Sequence, residues 1–119
     1  MSCERIVVVD DHAELAGTLS EMLTLDGFDV RTAADGVSAL AVIAEQKPIC
    51  VLTDVDMPVM NGFELARRLR DLHASDIVLI AITGWGQPGD RVTQQFDNFD
   101  HCLRKPIDLD LLRKLLRPG

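Results

Sequence analysis

The chain has no tyrosine, one tryptophan and four phenylalanines in 119 residues, so any core it builds is aliphatic. Its three cysteines, Cys3, Cys50 and Cys102, are odd in number, widely spaced and without a CxxC pair. Neither a disulfide framework nor a zinc site is indicated, and the thiols read as reduced, small apolar residues. Lysine and arginine total 12 against 19 aspartates and glutamates, a formal charge of −7. That balance argues against nonspecific attraction to nucleic acid, which needs clustered cations, and suits solubility and cation binding. The first apolar run stops at Asp10, too soon for a leader or a membrane span. A cytoplasmic location is expected. Repeats, low-complexity tracts and linkers are also lacking, and the length suits one domain over residues 1–119.

What the chain does have is a repeated change of hydrophobic period. Residues 5–10 (RIVVVD) form a β-branched run without alternation, as in a strand covered on both faces. Leu15, Leu19, Met22 and Leu23 then recur at helical spacing up to a stop at Asp26-Gly27. A second strand is expected over residues 28–32 and a second helix over 36–46, with Val37, Leu40, Ile43 and Ala44 inward and Lys47-Pro48 breaking it. A third strand over residues 49–54 precedes a helix from Gly62 with Leu65, Leu69 and Leu72 in one stripe. The fourth strand, 77–83, is the most apolar run, followed by a helix over residues 90–97 carried by Val92 and Phe96. A short fifth strand, 101–104, leads to a last helix capped by Asp108 with Leu109, Leu112, Leu115 and Leu116. Five strand–helix repeats predict an α/β fold, a doubly wound parallel sheet.

The chemistry gathers at strand ends. In VLTDVDMPVMNG an apolar run stops at two carboxylates, Asp54 and Asp56, and ligands of open α/β sheets collect at such carboxyl ends. An aspartate after a strand often only caps the next turn. Here polar residues also follow the other strands: Asp10 and Asp11 after the first, Thr83 at the end of the fourth, and Lys105-Pro106 after the fifth. Four strand ends would meet at one pocket.

With Asp10-Asp11, TDVDMPVMNG, AITGWG and LRKPID in this order, Thr83 about 30 residues past Asp54 and Lys105 about 20 further, the chain resembles the two-component response regulator receiver domain over essentially its whole length. The resemblance to this CheY-like family implies a flavodoxin-like sheet of order 2-1-3-4-5 with five helices. It implies that Asp54 takes a phosphoryl group from a phosphohistidine of a histidine kinase or histidine phosphotransfer domain and becomes an aspartyl phosphate. It further implies Mg²⁺, or Mn²⁺ in its place, held directly by Asp11 and Asp54, through water by Asp10 and through the backbone carbonyl of Asp56. Lys105, aimed by Pro106, would meet the phosphoryl oxygens, and the Thr83 hydroxyl would turn to them and draw its loop along. Gly84 would leave room for the donor. By the same resemblance Asp56 and Trp85 would flank the path of hydrolytic water, where bulky Trp85 would slow loss of phosphate.

By the same resemblance the surface of the last two helices and the fifth strand is the output face, and this part of the chain contacts neither nucleic acid nor membrane directly. The activity implied is self-phosphorylation and self-dephosphorylation rather than conventional turnover. The wording TGWGQPGD and FDHCLRKPID is closer to receivers that serve hybrid histidine kinases than to those fused to DNA-binding domains. Two departures stand out: Cys102 occupies the position where receivers often carry an aromatic or His, and Asn98 one where glycine is usual. Two other readings stay open at this point. Asp54-Val-Asp56 also fits the strand-end DxD of haloacid dehalogenase-type phosphohydrolases, and a pseudo-receiver would keep the fold as a binding module without phosphorylation.

Overall fold

Ile6 to Val9 have no exposed face, and the reason is the layer on each side of them. In the computed structural model, which describes residues 4–55, 62–73, 77–83, 98–104 and 108–116, five strands form one sheet: β1 (Arg5–Val9), β2 (Asp29–Ala33), β3 (Cys50–Asp54), β4 (Val78–Thr83) and β5 (His101–Arg104). All neighbours run parallel, in the order β2-β1-β3-β4-β5. The described helices are α1 (Ala13–Leu25), α2 (Gly36–Gln46), α3 (Gly62–His73) and α4 (Leu109–Leu116). The helix expected over residues 90–97 lies outside the described residues. No helix among the described residues is long and apolar enough to cross a membrane.

Because successive strand residues point to opposite faces, β1 divides itself between two cores. Ile6 and Val8 join Leu52, Ile80 and Leu103 beneath Leu19 and Leu23 of α1 and Leu112 and Leu116 of α4. Val7 and Val9 join Val51 and Leu79 beneath Ala39 and Ile43 of α2 and Leu65, Ala66 and Leu69 of α3. The expected inner face of the second helix is corrected by this packing. Gly36, Ala39 and Ile43 face the sheet, whereas Val37 and Ala44 are exposed. Small residues at the contact let α2 lie close to the sheet, and that outweighs the larger side chain of Val37. The α3 stripe likewise ends early: Leu72, in the last turn, is exposed.

Helix ends follow the turn chemistry of the sequence. The Asp35 carboxylate caps α2 by accepting from the Ser38 N–H at 2.7 Å, and that bond holds its pKa below the usual value. Lys47, at φ 50°, closes α2 just before Pro48. Gly27, at φ 100°, lets the chain reverse between α1 and β2, with the Phe28 N–H donating to the Leu23 carbonyl. Asp108 Oδ1 accepts from the Asp110 and Leu111 N–H groups at the start of α4, as its sequence position suggests.

Cys50 and Cys102 are free thiols, the first buried as expected and the second only half so. Burial pushes the Cys50 thiol up to about 12, with the nearby Asp100 charge adding to the effect, so it stays protonated. Cys102 is half-buried in β5, and Cys3 lies outside the described residues.

Arg70 of α3 ties the approach to β5 onto the rest of the fold. Its guanidinium donates to the Asn98 carbonyl, the Ile77 carbonyl and Asp100 Oδ2, at 2.9, 2.9 and 2.7 Å. Asp100 Oδ2 also accepts from the Leu79 N–H at 2.8 Å. Phe63 meets Phe99 edge to face beside this link. Partial burial acts to raise the Asp100 pKa, but the Leu79 N–H and the Arg70 guanidinium outweigh it and leave the value lowered. Asp100 therefore stabilises the fold above the ordinary carboxylate range, near about 3.9, and that contribution is lost as pH falls through its lower folded value. Asp100→Asn is expected to cost about 1 kcal/mol at neutral pH, since the pair is partly exposed, and to flatten the acid limb of the stability curve. Urea titrations between neutral and acid pH check this, and an unchanged acid limb refutes it.

Candidate functional site

The parallel register decides which strand ends meet. Val9 of β1 is opposite Thr53 of β3, so the next residues, Asp10 and Asp54, emerge side by side at the carboxyl edge. Asp54 is itself opposite Ile82 of β4, and Thr83 is opposite Arg104 of β5. Asp10 and Asp54 are buried, at 5% and 3% exposure, and the Asp11 side chain is about one-third exposed, at 32%.

The backbone on both strands is fixed around these carboxylates. The Asp10 N–H donates to the Ala33 carbonyl at 3.0 Å, continuing the ladder between β1 and β2, and Asp10 Oδ1 accepts from the His12 N–H at 2.9 Å. Beside Asp54, the Thr53 hydroxyl donates to the Asp54 carbonyl at 2.9 Å, and the Val55 N–H donates to the Ile82 carbonyl at 3.2 Å. The Gly62 N–H, at the start of α3, donates to the Val55 carbonyl at 3.1 Å. A β-carbon on Gly62 would stand 2.5 Å from the Asp54 carbonyl oxygen and 2.7 Å from Val55 Cα. Only glycine lets α3 begin against the backbone of the central aspartate.

One ligand atom from each of Asp10, Asp11, His12 and Asp54 lies within 4.8 Å of all the others. Like charges so placed repel one another by about 4 kcal/mol at 4 Å for an effective dielectric of about 20. A cation would relieve that repulsion, and the cluster could hold one. The donors are mainly carboxylate oxygens on rigid strand ends, a set that fits a hard divalent ion such as Mg²⁺, which takes one or two carboxylates and retains waters.

Of the residues singled out in the sequence, the structure brings Asp10, Asp11 and Asp54 together. Thr83 ends β4 at the same edge, while its side chain lies outside the described residues, as do Asp56, Gly84, Trp85, Lys105 and Pro106. Cys102, opposite Ala81, stands two positions before the end of β5. The sequence reading passed over His12 and the contact made by Gly62. His12 had a signal in its place directly after Asp10-Asp11 at the start of a helix. The Gly62 contact had none, because it depends on how closely α3 approaches β3.

The family model for the response regulator receiver domain matches residues 6–117. Over 111 residues the chain is 35% identical to the sensor histidine kinase RcsC of Salmonella typhimurium, a match covering 93% of this chain and 12% of that protein. Over 112 residues it is 38% identical to a transcriptional regulatory protein, the CpxR homolog of Haemophilus influenzae, covering 93% of this chain and 48% of that protein. The chain thus spans from about a tenth to about half of the length of these relatives. Among solved structures, the response regulator protein TrrA of Thermotoga maritima in complex with Mg²⁺-BeF superposes with a TM-score of 0.85 at 27% identity, covering 95% of this chain and 96% of that one.

The Gly62 contact makes a direct test of the site's backbone. Gly62→Ala is expected to lower stability by about 1–3 kcal/mol, the usual cost of overpacking, and to weaken Mg²⁺ binding by displacing Asp54. Denaturant unfolding and calorimetric metal titration measure the two effects, and a variant with unaltered stability and affinity refutes the contact.

Proposed function

The chain belongs to the response regulator receiver domain family, and from that premise we propose that Asp54 is the phosphoacceptor of a module formed by residues 1–119. The observation that carries this is the burial of Asp54 at the carboxyl end of the central strand, beside Asp10 and Asp11. An Asp54 carboxylate oxygen attacks phosphorus of a phosphohistidine. The P–O bond forms as the P–N bond breaks, the electron pair returns to the donor imidazole, and the product is a mixed anhydride.

Both reacting groups are anionic, so charge is the barrier. A divalent cation at the acidic cluster supplies the neutralisation that lets the carboxylate and the phosphoryl oxygens approach. Asp11 and Asp54 would hold it directly, Asp10 through water and Asp56 through its backbone carbonyl. Lys105 brings the remaining positive charge. Support for its place is the pairing of Arg104, the residue before it, with Thr83 at the edge where Asp54 emerges. The Thr83 hydroxyl donates to the new phosphoryl oxygen and is the switching group. Gly84 and Pro106 leave access and direct Lys105, and Cys102 takes the place of a larger switching side chain.

The donor is a histidine kinase or a histidine phosphotransfer domain, in keeping with a sensor histidine kinase among the relatives. The modified domain presents the surface that includes β5 and α4, and it acts in the cytoplasm without touching nucleic acid itself. A phosphohydrolase of the haloacid dehalogenase type is not favoured, since the receiver match runs over residues 6–117.

Acetyl phosphate with Mg²⁺ is expected to add one acid-stable, base-labile phosphoryl group, seen by intact mass, with none in Asp54→Asn. Modification that persists in Asp54→Asn, or catalytic turnover of many phosphoesters, overturns the assignment. Trp85→Ala is expected to shorten the phosphoryl half-life; an unaltered half-life rejects shielding by the indole.

A further inference from the structure

The phosphoacceptor reading leaves one side chain at the site without a role. His12 precedes α1, and the bond from its N–H to Asp10 Oδ1 fixes its backbone beside the carboxylates. Its ring is largely exposed, at 69%, so packing does not force the direction in which it points. Nevertheless, Nδ1 lies 3.1 Å from Asp11 Oδ1 and 3.3 Å from Asp10 Oδ1. A flexible surface imidazole has turned onto two acidic groups.

Around a six-coordinate ion with bonds of about 2.1 Å, neighbouring ligand atoms are about 3 Å apart and opposite ones about 4.2 Å. The ligand atoms of Asp10, Asp11, His12 and Asp54 fall within 4.8 Å of one another, a spread near that of the coordination sphere of one ion, so the His12 nitrogen is within reach of an ion held by Asp11 and Asp54. Which ion uses the nitrogen depends on its softness. Mg²⁺ strongly prefers oxygen and water, whereas first-row transition ions accept imidazole readily. We infer that His12 is an additional side-chain ligand for transition ions only, so that Mn²⁺ or Co²⁺ at this site takes one imidazole nitrogen while Mg²⁺ is held by oxygen alone.

The inference rests on the reading of the acidic cluster as the receiver's cation site and deepens it. His12 becomes a metal-selectivity residue, which narrows the margin by which Mg²⁺ excludes transition ions in a cell. All four side chains come from the ends of β1 and β3 and the short link from β1 into α1.

The test uses the full chain at one fixed pH. Pulsed electron paramagnetic resonance of bound Mn²⁺ is expected to show a directly coordinated imidazole nitrogen, absent in His12→Gln. Titration calorimetry is expected to show Mn²⁺ and Co²⁺ affinity falling by about tenfold or more in His12→Gln, the scale on which even outer partners of a metal site act, with Mg²⁺ affinity unchanged. The ring's exposure makes the substitution compatible with folding. Bound Mn²⁺ that Mg²⁺ displaces but that shows no nitrogen signal overturns the inference and leaves the cation site standing. Equal losses for Mg²⁺ and Mn²⁺ in His12→Gln also overturn it, because the ring then only positions the carboxylates. If neither Mg²⁺ nor Mn²⁺ binds the parent chain, the cation site itself falls, and this inference with it.

Discussion

Repulsion among three carboxylates at one edge of a sheet is the constraint from which the rest of the structure follows. Two of them come from the end of β1 and one from the end of β3. Because those strands are neighbours and parallel, their ends cannot separate without breaking the ladder between Val9 and Thr53. Asp10 and Asp54 are also removed from water, which deprives them of the solvent that would screen them. The fold therefore places charge where only a cation or a donated hydrogen bond makes it tolerable. Two aliphatic cores, one on each face of the sheet, hold that arrangement rigid.

The helices serve the edge in different ways. The start of α1 brings the His12 N–H to Asp10, and the start of α3 rests on the backbone of Asp54 and Val55. Phe63, next to that start, and Arg70, farther along α3, grip residues 98–100, which lead into β5. One helix thus touches the central aspartate at one end and anchors the strand that precedes Lys105 near the other.

Most of the fold was legible because the strands alternate with helices in a regular rhythm and the turns carry strong markers. Asp108 capping α4, Gly27 at positive φ and Lys47-Pro48 closing α2 are each local events, governed by residues within one turn. The inward faces were less legible. Val37 is a larger apolar residue than Ala39, yet Ala39 is buried because close helix–sheet packing favours the smaller group. At the site, Asp10, Asp11 and Asp54 were recognisable from strand-end placement alone. Gly62 was not, since its contact depends on how closely α3 approaches β3, and His12, although adjacent to Asp10-Asp11, has the direction of its ring set only in the folded chain.

The margin of the sheet at β2 carries a consequence of its own. Its sequence, DVRTA, leaves Arg31 and Thr32 facing solvent and Asp29 half-buried between Arg5 and Arg31. The outer edge of a strand is an invitation to a second sheet, and charged side chains of both signs along it oppose such zippering. Copies of this chain that meet along this border are therefore hindered from joining edge to edge into a continuous sheet.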